Sequence, residues 1–383
     1  MTDTKPGWLT AGYPELREGP PWVMEEMILA QPRLVEPILR ANGPELTALR
    51  ATIREAAVVR SPIVVTGCGT SEHAALAVGE LLSAALRRNG DRSRVEVRQA
   101  LDAALDPRPG GVCLAISHDG GTRATRLALG AARSAGATTA IVTACLEGDC
   151  VAAADRAFIT PRHDDSWCHT LAYTSAILAG ANIADGARDT TAINVARLAM
   201  ESTLARRADF EAAAGHLGLS GRVVTAGLGI DEIGARELAL KIAEGARVPT
   251  TAYHLETILH GHLAGCDPSA TSLVLLATDP RESEHRDRRF GLVARAAQAV
   301  GIATVAIGPQ RLLDTLPRAV HGVALDPVDG PASLLPALLQ GTVALQLLTL
   351  GLVMRAGVNP DLIRRDEKAY REAARIGDET ADW

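Results

Sequence analysis

The stretch Val65-Thr66-Gly67-Cys68-Gly69-Thr70-Ser71 is the part of the sequence that points most directly to a fold. It overlaps the apolar β-branched run Ile63-Val64-Val65, typical of a buried parallel strand, and an alanine-rich segment follows that predicts a helix over residues 72–86. A strand that turns into a helix leaves free backbone N–H groups and the positive end of the helix dipole at the turn. The hydroxyls of Thr70 and Ser71 can cap the helix or bind a ligand there. The turn is a candidate phosphate or sugar-phosphate site, although any α/β protein can use the same pattern simply to change direction.

Composition and charge exclude several classes of protein. The 383 residues are 47% hydrophobic and 22% charged, as in a globular protein, with a net charge of −6 and only 3% aromatic residues. The mixed charges and few aromatics argue against a nucleic-acid or anionic-membrane partner. Six cysteines without metal-binding spacing and the lack of a secretory signal predict a cytoplasmic protein. Glutamine and threonine interrupt the long apolar run at 334–354, which therefore predicts a buried helix rather than a membrane span.

Strands and helices alternate in two similar arrays. The pattern predicts strands at 63–65, 95–98, 111–117, 138–143 and 157–160, then at 221–226, 272–278 and 303–307. Such alternation implies parallel sheets with helices on both faces, and ligands bind such sheets at the carboxyl ends of the strands. The predicted organisation is an arm with helices at 1–55, one α/β domain at 56–215, a second at 216–356 and a tail at 357–383.

Three segments carry a resemblance to a known family. They are Cys68-Gly69-Thr70-Ser71, Ile116-Ser-His-Asp-Gly-Gly-Thr122 and Glu237-Leu-Ala-Leu-Lys-Ile-Ala-Glu244. Together they resemble the double sugar isomerase (SIS) domain family, above all the isomerase half of glucosamine-6-phosphate synthase and the related deglycases and deaminases of amino-sugar phosphates. The likeness covers residues 25–370 and reappears near His260-Gly261 and from Asn359 to Lys368. It implies two tandem parallel-sheet αβα sandwich domains of flavodoxin-like type.

The resemblance also implies roles for individual residues. Glu244 would move a proton between C1 and C2 of an opened sugar, and Lys241 would orient or polarise the reacting oxygen or nitrogen. His260 would open the ring from the neighbouring subunit of a homodimer, and Lys368 would close over the sugar from the tail. The implied substrate-binding residues are Gly69, Thr70, Ser71, Ser117, His118, Asp119 and Thr122. A positioned carboxylate, a nearby cation and a histidine suit this chemistry, and no metal or other cofactor is required.

Simpler explanations exist for the same residues. Glu237, Lys241 and Glu244 have the spacing of a salt-bridged, solvent-facing helix surface. His260 and His262 could form a metal pair, but no further ligand stands near them in the sequence. Lys368 could be a solvated charge in the tail. His118 could be an ordinary loop residue, and His169 could belong either to the core or to the pocket.

Two departures from the family pattern constrain the function. Members that bind phosphate usually have Ser-x-Ser-Gly-x-Thr in the second turn, whereas this chain has Asp119 in place of the second serine. A carboxylate repels a phosphate dianion, so we expect a substrate that lacks phosphate or that presents an amine or hydroxyl to Asp119. No cysteine precedes the first strand, so we expect no glutaminase activity. The favoured function is isomerisation of an amino sugar or sugar-amine adduct, coupled to deamination or deglycation. The alternatives are a non-catalytic sugar-binding regulator and a nucleotide-dependent oxidoreductase. The glycine fingerprint of such an oxidoreductase is missing from this sequence.

Overall fold

Two five-stranded parallel sheets form the framework of the protein. A computed structural model describes residues 12–90, 93–219, 221–281, 283–328 and 334–377. The first sheet has the order β2-β1-β3-β4-β5 and the second the order β7-β6-β8-β9-β10, so the two sheets share one topology. Their strands are β1 Ile63–Gly67, β2 Val95–Gln99, β3 Val112–Ile116, β4 Thr138–Thr143, β5 Arg156–Ile159, β6 Arg222–Gly227, β7 Thr250–His254, β8 Thr271–Leu276, β9 Ala303–Pro309 and β10 His321–Leu325.

Helices precede, connect and cover the strands. They are α1 Val23–Ala30, α2 Val35–Leu39, α3 Pro44–Val58, α4 Thr70–Arg88, α5 Ala100–Leu105, α6 Arg123–Ser134, α7 Asp149–Ala153, α8 Leu171–Asp185, α9 Thr190–Leu204, α10 Arg207–Leu217, α11 Ile230–Gly245, α12 Leu255–Ile258, α13 Glu284–Val300, α14 Gln310–Leu313, α15 Leu334–Ala356 and α16 Lys368–Gly377. Two short 3-10 helices lie at Gln31–Leu34 and His262–Gly265. The predicted fold class, two tandem parallel-sheet α/β sandwiches, is confirmed.

The first strand of each sheet runs into a helix through the same glycine turn. A side chain at Gly67 would place its Cβ 2.5 Å from the carbonyl oxygen of Ser71, and one at Gly227 would come within 2.2 Å of the oxygen of Asp231. These contacts are too short for any residue but glycine, so the helix can start directly over the strand end. Gly69, with φ of 57°, is the residue before α4. Thr70 is therefore the first helical residue and does not cap α4, contrary to our expectation.

One hydrophobic core joins the two sheets. It includes Val65 of β1 and Val274 of β8, together with the inner faces of α4, α8, α11 and α15. Helix α15 is long and apolar enough to cross a membrane, but 89% of its most apolar stretch is buried inside the protein. This burial agrees with the predicted core helix. The exact domain limits stay a prediction.

One predicted helix and two strands of the second sheet differ between the prediction and the structure. The helix predicted over 194–215 is two helices, because the chain turns at Ala205-Arg206 between α9 and α10. Strands β7 and β10 were missed. Each lies at an edge of the second sheet, and all of β7 is only half-buried, so neither has the continuous apolar run of a central strand. Residues 1–11 of the predicted arm, 331–333 of the last predicted helix and 378–383 of the tail lie outside the described residues.

Candidate functional site

A charged cluster lies between the helices that follow the two glycine turns. We call His73 of α4 with Glu237, Lys241 and Glu244 of α11 the Lys241 cluster. The Nδ1 atom of His73 is 2.7 Å from Oε2 of Glu237, and Nζ of Lys241 is 2.5 Å from Oε2 of Glu244 and 3.7 Å from Oε1 of Glu237. Glu237 and Lys241 are fully buried, whereas 23% of the Glu244 side chain is exposed. The solvent-face explanation is therefore wrong for Glu237 and Lys241.

The electrostatics of the Lys241 cluster keep its lysine charged. Burial opposes that charge, but the carboxylates of Glu244 and Glu237 outweigh it and raise the pKa of Lys241 above its usual value. Removing charged groups from water costs several kcal/mol each, and apolar residues in their place are often more stable. Buried charges of this kind are characteristic of functional sites. Glu244 is the most exposed member of the cluster, and the His73 side chain is 16% exposed.

Ion pairs hold the C-terminal tail, which begins at residue 357, beside the end of α11. Arg247 stands three residues after Glu244 and has the left-handed φ of 59°. Its guanidinium contacts Asp366 at 2.9 Å and Glu367 at 3.2 Å. Lys368 follows directly in the chain, begins α16 and is exposed. The contacts of Arg247 therefore hold the backbone before Lys368 close to the helix that carries Glu244.

A second anchor of the tail is the buried carboxylate of Asp361. It accepts hydrogen bonds from the backbone amides of Val23 and Met24, at 3.0 and 2.7 Å, and so satisfies the first turn of α1. The carbonyl of Asp361 also accepts the amide of Trp167, and Arg365 lies over the Trp167 ring. The tail is thus packed against both the N-terminal helices and the loop before α8.

His260 lies on the surface, apart from the Lys241 cluster. Its side chain is 69% exposed, and Nε2 is 2.9 Å from Glu256, whose other oxygen is 2.6 Å from Arg289. In the described ranges, no hydrogen bond or ion pair joins His260 or Lys368 to the Lys241 cluster. His262 stacks on Tyr253 at 4.0 Å. The contribution of His260 from a neighbouring subunit stays a prediction.

The predicted substrate-binding residues lie in two adjacent turns, because β1 and β3 are neighbours in the first sheet. Gly69, Thr70 and Ser71 form the first turn. Among the described residues, the hydroxyls of Thr70 and Ser71 make no hydrogen bond and are available to a ligand. In the second turn, Ser117 donates from Oγ to Oγ1 of Thr122 at 3.2 Å. The two turns that carry the seven predicted residues therefore follow neighbouring strands, and their role in binding substrate stays a prediction.

A small cavity lies behind these turns. Its volume is about 20 Å³, and its lining includes Thr70, Ser71, His118, His169 and Tyr173. This volume suits one water molecule rather than a sugar. Tyr173 is fully buried, and burial together with the charge of Glu237 raises its pKa well above the usual value. No residue of the Lys241 cluster is among the described residues that line this cavity.

Asp119 is surrounded by histidines. Its Oδ1 is 2.9 Å from Nε2 of His163, and its Oδ2 is 3.8 Å from Nε2 of His169. Burial favours the neutral carboxyl, but the hydrogen bond from His163 and the nearby His169 outweigh burial, and the pKa of Asp119 is lowered. The hydrogen bond with Asp119 raises the pKa of His163. The carboxylate that distinguishes the second turn is therefore ionised and held in place.

His118 is fixed in a different way. Its Nε2 accepts the backbone amide of Asp164 at 2.8 Å, so the neutral ring carries its proton on Nδ1. Burial and the neighbouring His169 lower the pKa of His118 to about 3. His118 is thus a neutral ring packed under the turn and not the ordinary loop residue that its position in the sequence suggests.

Sequence reasoning missed three residues of these sites. His73 lies three positions after Thr70, and nothing in its local sequence indicates a partner on α11. Glu237 was noticed only for its helical spacing. His163 stands between β5 and α8, and its position at the carboxyl end of a strand in the same sheet is a signal that could have placed it near Asp119.

Solved structures share the fold over nearly the whole chain. The C-terminal domain of glucosamine-fructose-6-phosphate aminotransferase from Francisella tularensis matches with a TM-score of 0.74 and 18% identity, covering 90% of this chain and 98% of that one. Tagatose-6-phosphate ketose/aldose isomerase from Escherichia coli gives 0.72 and 18%, covering 91% and 97%. Glucosamine-6-phosphate deaminase from Thermotoga maritima gives 0.62 and 15%, covering 88% and 96%. No family model matches the chain, and a search of curated proteins finds no match. The double sugar-isomerase fold expected from the sequence is confirmed.

Proposed function

We propose that this chain is a sugar isomerase-type enzyme that moves a proton between C1 and C2 of an opened amino sugar or sugar-amine adduct. Glu244 acts as the base and forms an enediol or enamine; its reprotonation gives the isomer, and addition of water to the resulting imine releases the amine. The observation that carries the proposal is the Lys241 cluster. In it the fully buried Lys241 contacts the carboxylate of Glu244, whose side chain is 23% exposed to solvent. The named activities of the structural neighbours, phosphosugar isomerisation, amination and deamination, belong to the same chemical class.

The rarity of lysine supports the roles of Lys241 and Lys368. The chain has 39 lysines and arginines, but lysine stands only at positions 5, 241 and 368. Arginine is a broad planar cation, whereas the lysine ammonium is compact and can approach a developing oxyanion as a point charge. A chain that otherwise uses arginine almost throughout keeps lysine at both positions to which the family resemblance assigns chemistry.

In this mechanism Lys241 orients the Glu244 carboxylate before proton transfer. Removing a proton next to a carbonyl or imine creates negative charge on the adjacent oxygen or nitrogen, and a preorganised cation stabilises that charge. Glu237 and His73 act as positioning residues, because Glu237 lies 3.7 Å from Nζ of Lys241 and His73 in turn contacts Glu237 at 2.7 Å. Lys368 closes over the sugar from the tail.

The proposal is tested by Glu244→Gln with Glu232→Gln as the matched control. Glu232 lies on the same helix but pairs with Arg236 on its outer side. Isomerase or deaminase turnover of glucosamine, fructosamine and their 6-phosphates is measured together with sugar binding by calorimetry. We expect E244Q to lose at least a hundredfold in kcat while it still binds the sugar, and E232Q to behave as wild type. Unchanged turnover in E244Q would show that Glu244 is not the base, and binding without turnover in every protein would favour the regulatory alternative.

We propose further that Asp119 selects sugars without a phosphate group. Its carboxylate is ionised and occupies the turn where the family pattern places a second serine. In chelator-treated protein, Asp119→Ser is expected to increase affinity for glucosamine 6-phosphate at least tenfold relative to glucosamine, because a like charge is removed and a hydroxyl donor gained. A wild type that already prefers the phosphate ester would refute this selection.

The assembly and the compartment belong to the proposal as well. We propose a homodimer in which each site receives His260 from the other subunit, and a cytoplasmic location. The His260 side chain is 69% exposed, and its Nε2 contacts Glu256, so the ring is accessible to a second chain.

A further inference from the structure

The turn after β3 and the loop between β5 and α8 bring together side chains that the proposed proton transfer does not use. We propose that Asp119, His163 and His169 bind a divalent transition-metal ion, for which zinc is the best match. Two imidazoles and one carboxylate are ligands that zinc accepts, with a remaining position open to water or to an oxygen of a bound molecule. The proposal does not depend on the proposed function.

Asp119 lies near the coordinating separation from both histidines. Ligand atoms about 2.0–2.2 Å from a tetrahedral zinc ion lie about 3.3–3.5 Å from one another. The observed separations, 2.9 Å from Nε2 of His163 to Oδ1 of Asp119 and 3.8 Å from Nε2 of His169 to Oδ2 of Asp119, lie on either side of that range. Because the two separations involve different carboxylate oxygens, binding one ion requires the Asp119 carboxylate to rotate and the two histidine rings to move toward a common point through their side-chain torsions.

His118 belongs to the surroundings of this site and is not a ligand. A nitrogen of His118 lies within 4.8 Å of the ligand atoms of Asp119 and His163. However, its Nε2 accepts the Asp164 amide, so the proton remains on Nδ1 and that atom has no free lone pair. The His118 ring centre lies 4.7 Å from that of His163 and 5.3 Å from that of His169. It therefore packs against both histidine rings and limits where they can go.

The loop that presents the histidines is firmly held. The carboxylate of Asp164, the residue after His163, is fully buried and accepts the backbone amides of Ser166, Thr170 and Ala172 at 3.1, 2.8 and 2.9 Å. His163 directly precedes Asp164, and His169 directly precedes Thr170, so each histidine is next to a residue that these hydrogen bonds fix. Ligands held by a rigid scaffold lose little entropy when an ion binds.

The exposure of the three side chains provides an entry path. About half of the Asp119 and His163 side chains and 23% of the His169 side chain are accessible to solvent. Nδ1 of His169 is buried and has no hydrogen-bond partner among the described residues, so only its Nε2 is directed toward Asp119. The competing explanation is an ordinary ion pair between Asp119 and His163.

Zinc binding to the full-length protein separates the two explanations. Chelator-treated wild type is titrated with ZnCl₂ by calorimetry, and the visible absorption of bound Co²⁺ reports the ligand type. Asp119→Asn, His163→Asn and His169→Asn are compared with His285→Asn, an exposed histidine on α13. Every variant keeps all six cysteines, so binding to thiols is constant across the series.

We expect wild type and H285N to bind one Zn²⁺ per chain. Each ligand variant should bind at least tenfold more weakly, and the Co²⁺ spectrum should show nitrogen and oxygen ligands without thiolate charge transfer. Circular dichroism of each variant establishes that it is folded. Equal affinity in wild type and D119N, or a thiolate spectrum, would overturn the proposal. Because no substrate is present, this outcome is independent of the test of Glu244.

Discussion

Replacing Lys241 with methionine should destabilise the protein strongly, although methionine fits an apolar interior. The change leaves the fully buried carboxylate of Glu237 with His73 as its partner and without the cation 3.7 Å away. Removing one member of a buried ion pair costs about 3–5 kcal/mol of unfolding free energy, mostly from the unpaired charge that remains. Glu244 contributes little to this loss, because its side chain is partly exposed and can be solvated.

The assay is urea unfolding of wild type, Lys241→Met, Glu237→Gln and the double variant. Neutralising Glu237 in the K241M background removes the buried charge that K241M leaves unpaired. The double variant should therefore regain at least about half of the lost unfolding free energy. A loss below about 1 kcal/mol in K241M, or a double variant no more stable than K241M, would refute the electrostatic description of the cluster.

The same variants give a pH dependence with a defined sign. The folded-state pKa of Lys241 is raised, so its ionic contribution is fully present below the unfolded-state pKa of about 10.4 and is lost as pH rises through the higher folded value. The stability difference between wild type and K241M should therefore be constant through neutral pH and shrink only above about pH 10. A difference that shrinks between pH 6 and 9 would contradict this assignment.

Three further predictions concern the subunit boundary and the tail. Mixing Glu244→Gln with His260→Asn should restore about a quarter of wild-type activity after subunit exchange, because half of the dimers then contain one intact site; activity no higher than in either inactive parent would contradict the shared site. Lys368→Arg should lower kcat/KM at least tenfold with unchanged unfolding free energy, since the side chain is exposed and only the shape of its cation changes; wild-type kinetics would remove Lys368 from the site. Asp361→Ala should lower the unfolding free energy by about 2–4 kcal/mol in urea, since it leaves two backbone amides of α1 without an acceptor. Asp361→Asn keeps one acceptor and should cost less. Equal losses in the two variants would contradict this capping role.

The central strands and the glycine turns could be predicted because their signals are local. Ile63-Val64-Val65 is a continuous β-branched run, and the glycines after it fit only one kind of turn. The edge strand β7 could not be found in this way, because every one of its residues is half-buried and its pattern resembles a loop. Helix α10 was merged with α9 for a similar reason, since no glycine or proline marks the break.

The candidate site was predictable only where one segment contains the partners. The contact of Lys241 with Glu244 follows from helical spacing, but the burial of the pair depends on α4 packing against α11. His73 and Glu237 are 164 positions apart, and only the tertiary structure brings them within hydrogen-bonding distance. The histidines around Asp119 come from a separate loop whose position is set by the buried Asp164, which carries no local signal.

Incorporation of solvent deuterium at the carbon next to the carbonyl tests the role of Glu244 most directly. Wild-type protein in deuterium oxide should exchange the C2 proton of glucosamine or a C1 proton of fructosamine, and E244Q should bind the same sugar without measurable exchange. Exchange by E244Q at the wild-type rate would show that another group moves the proton and would contradict the account.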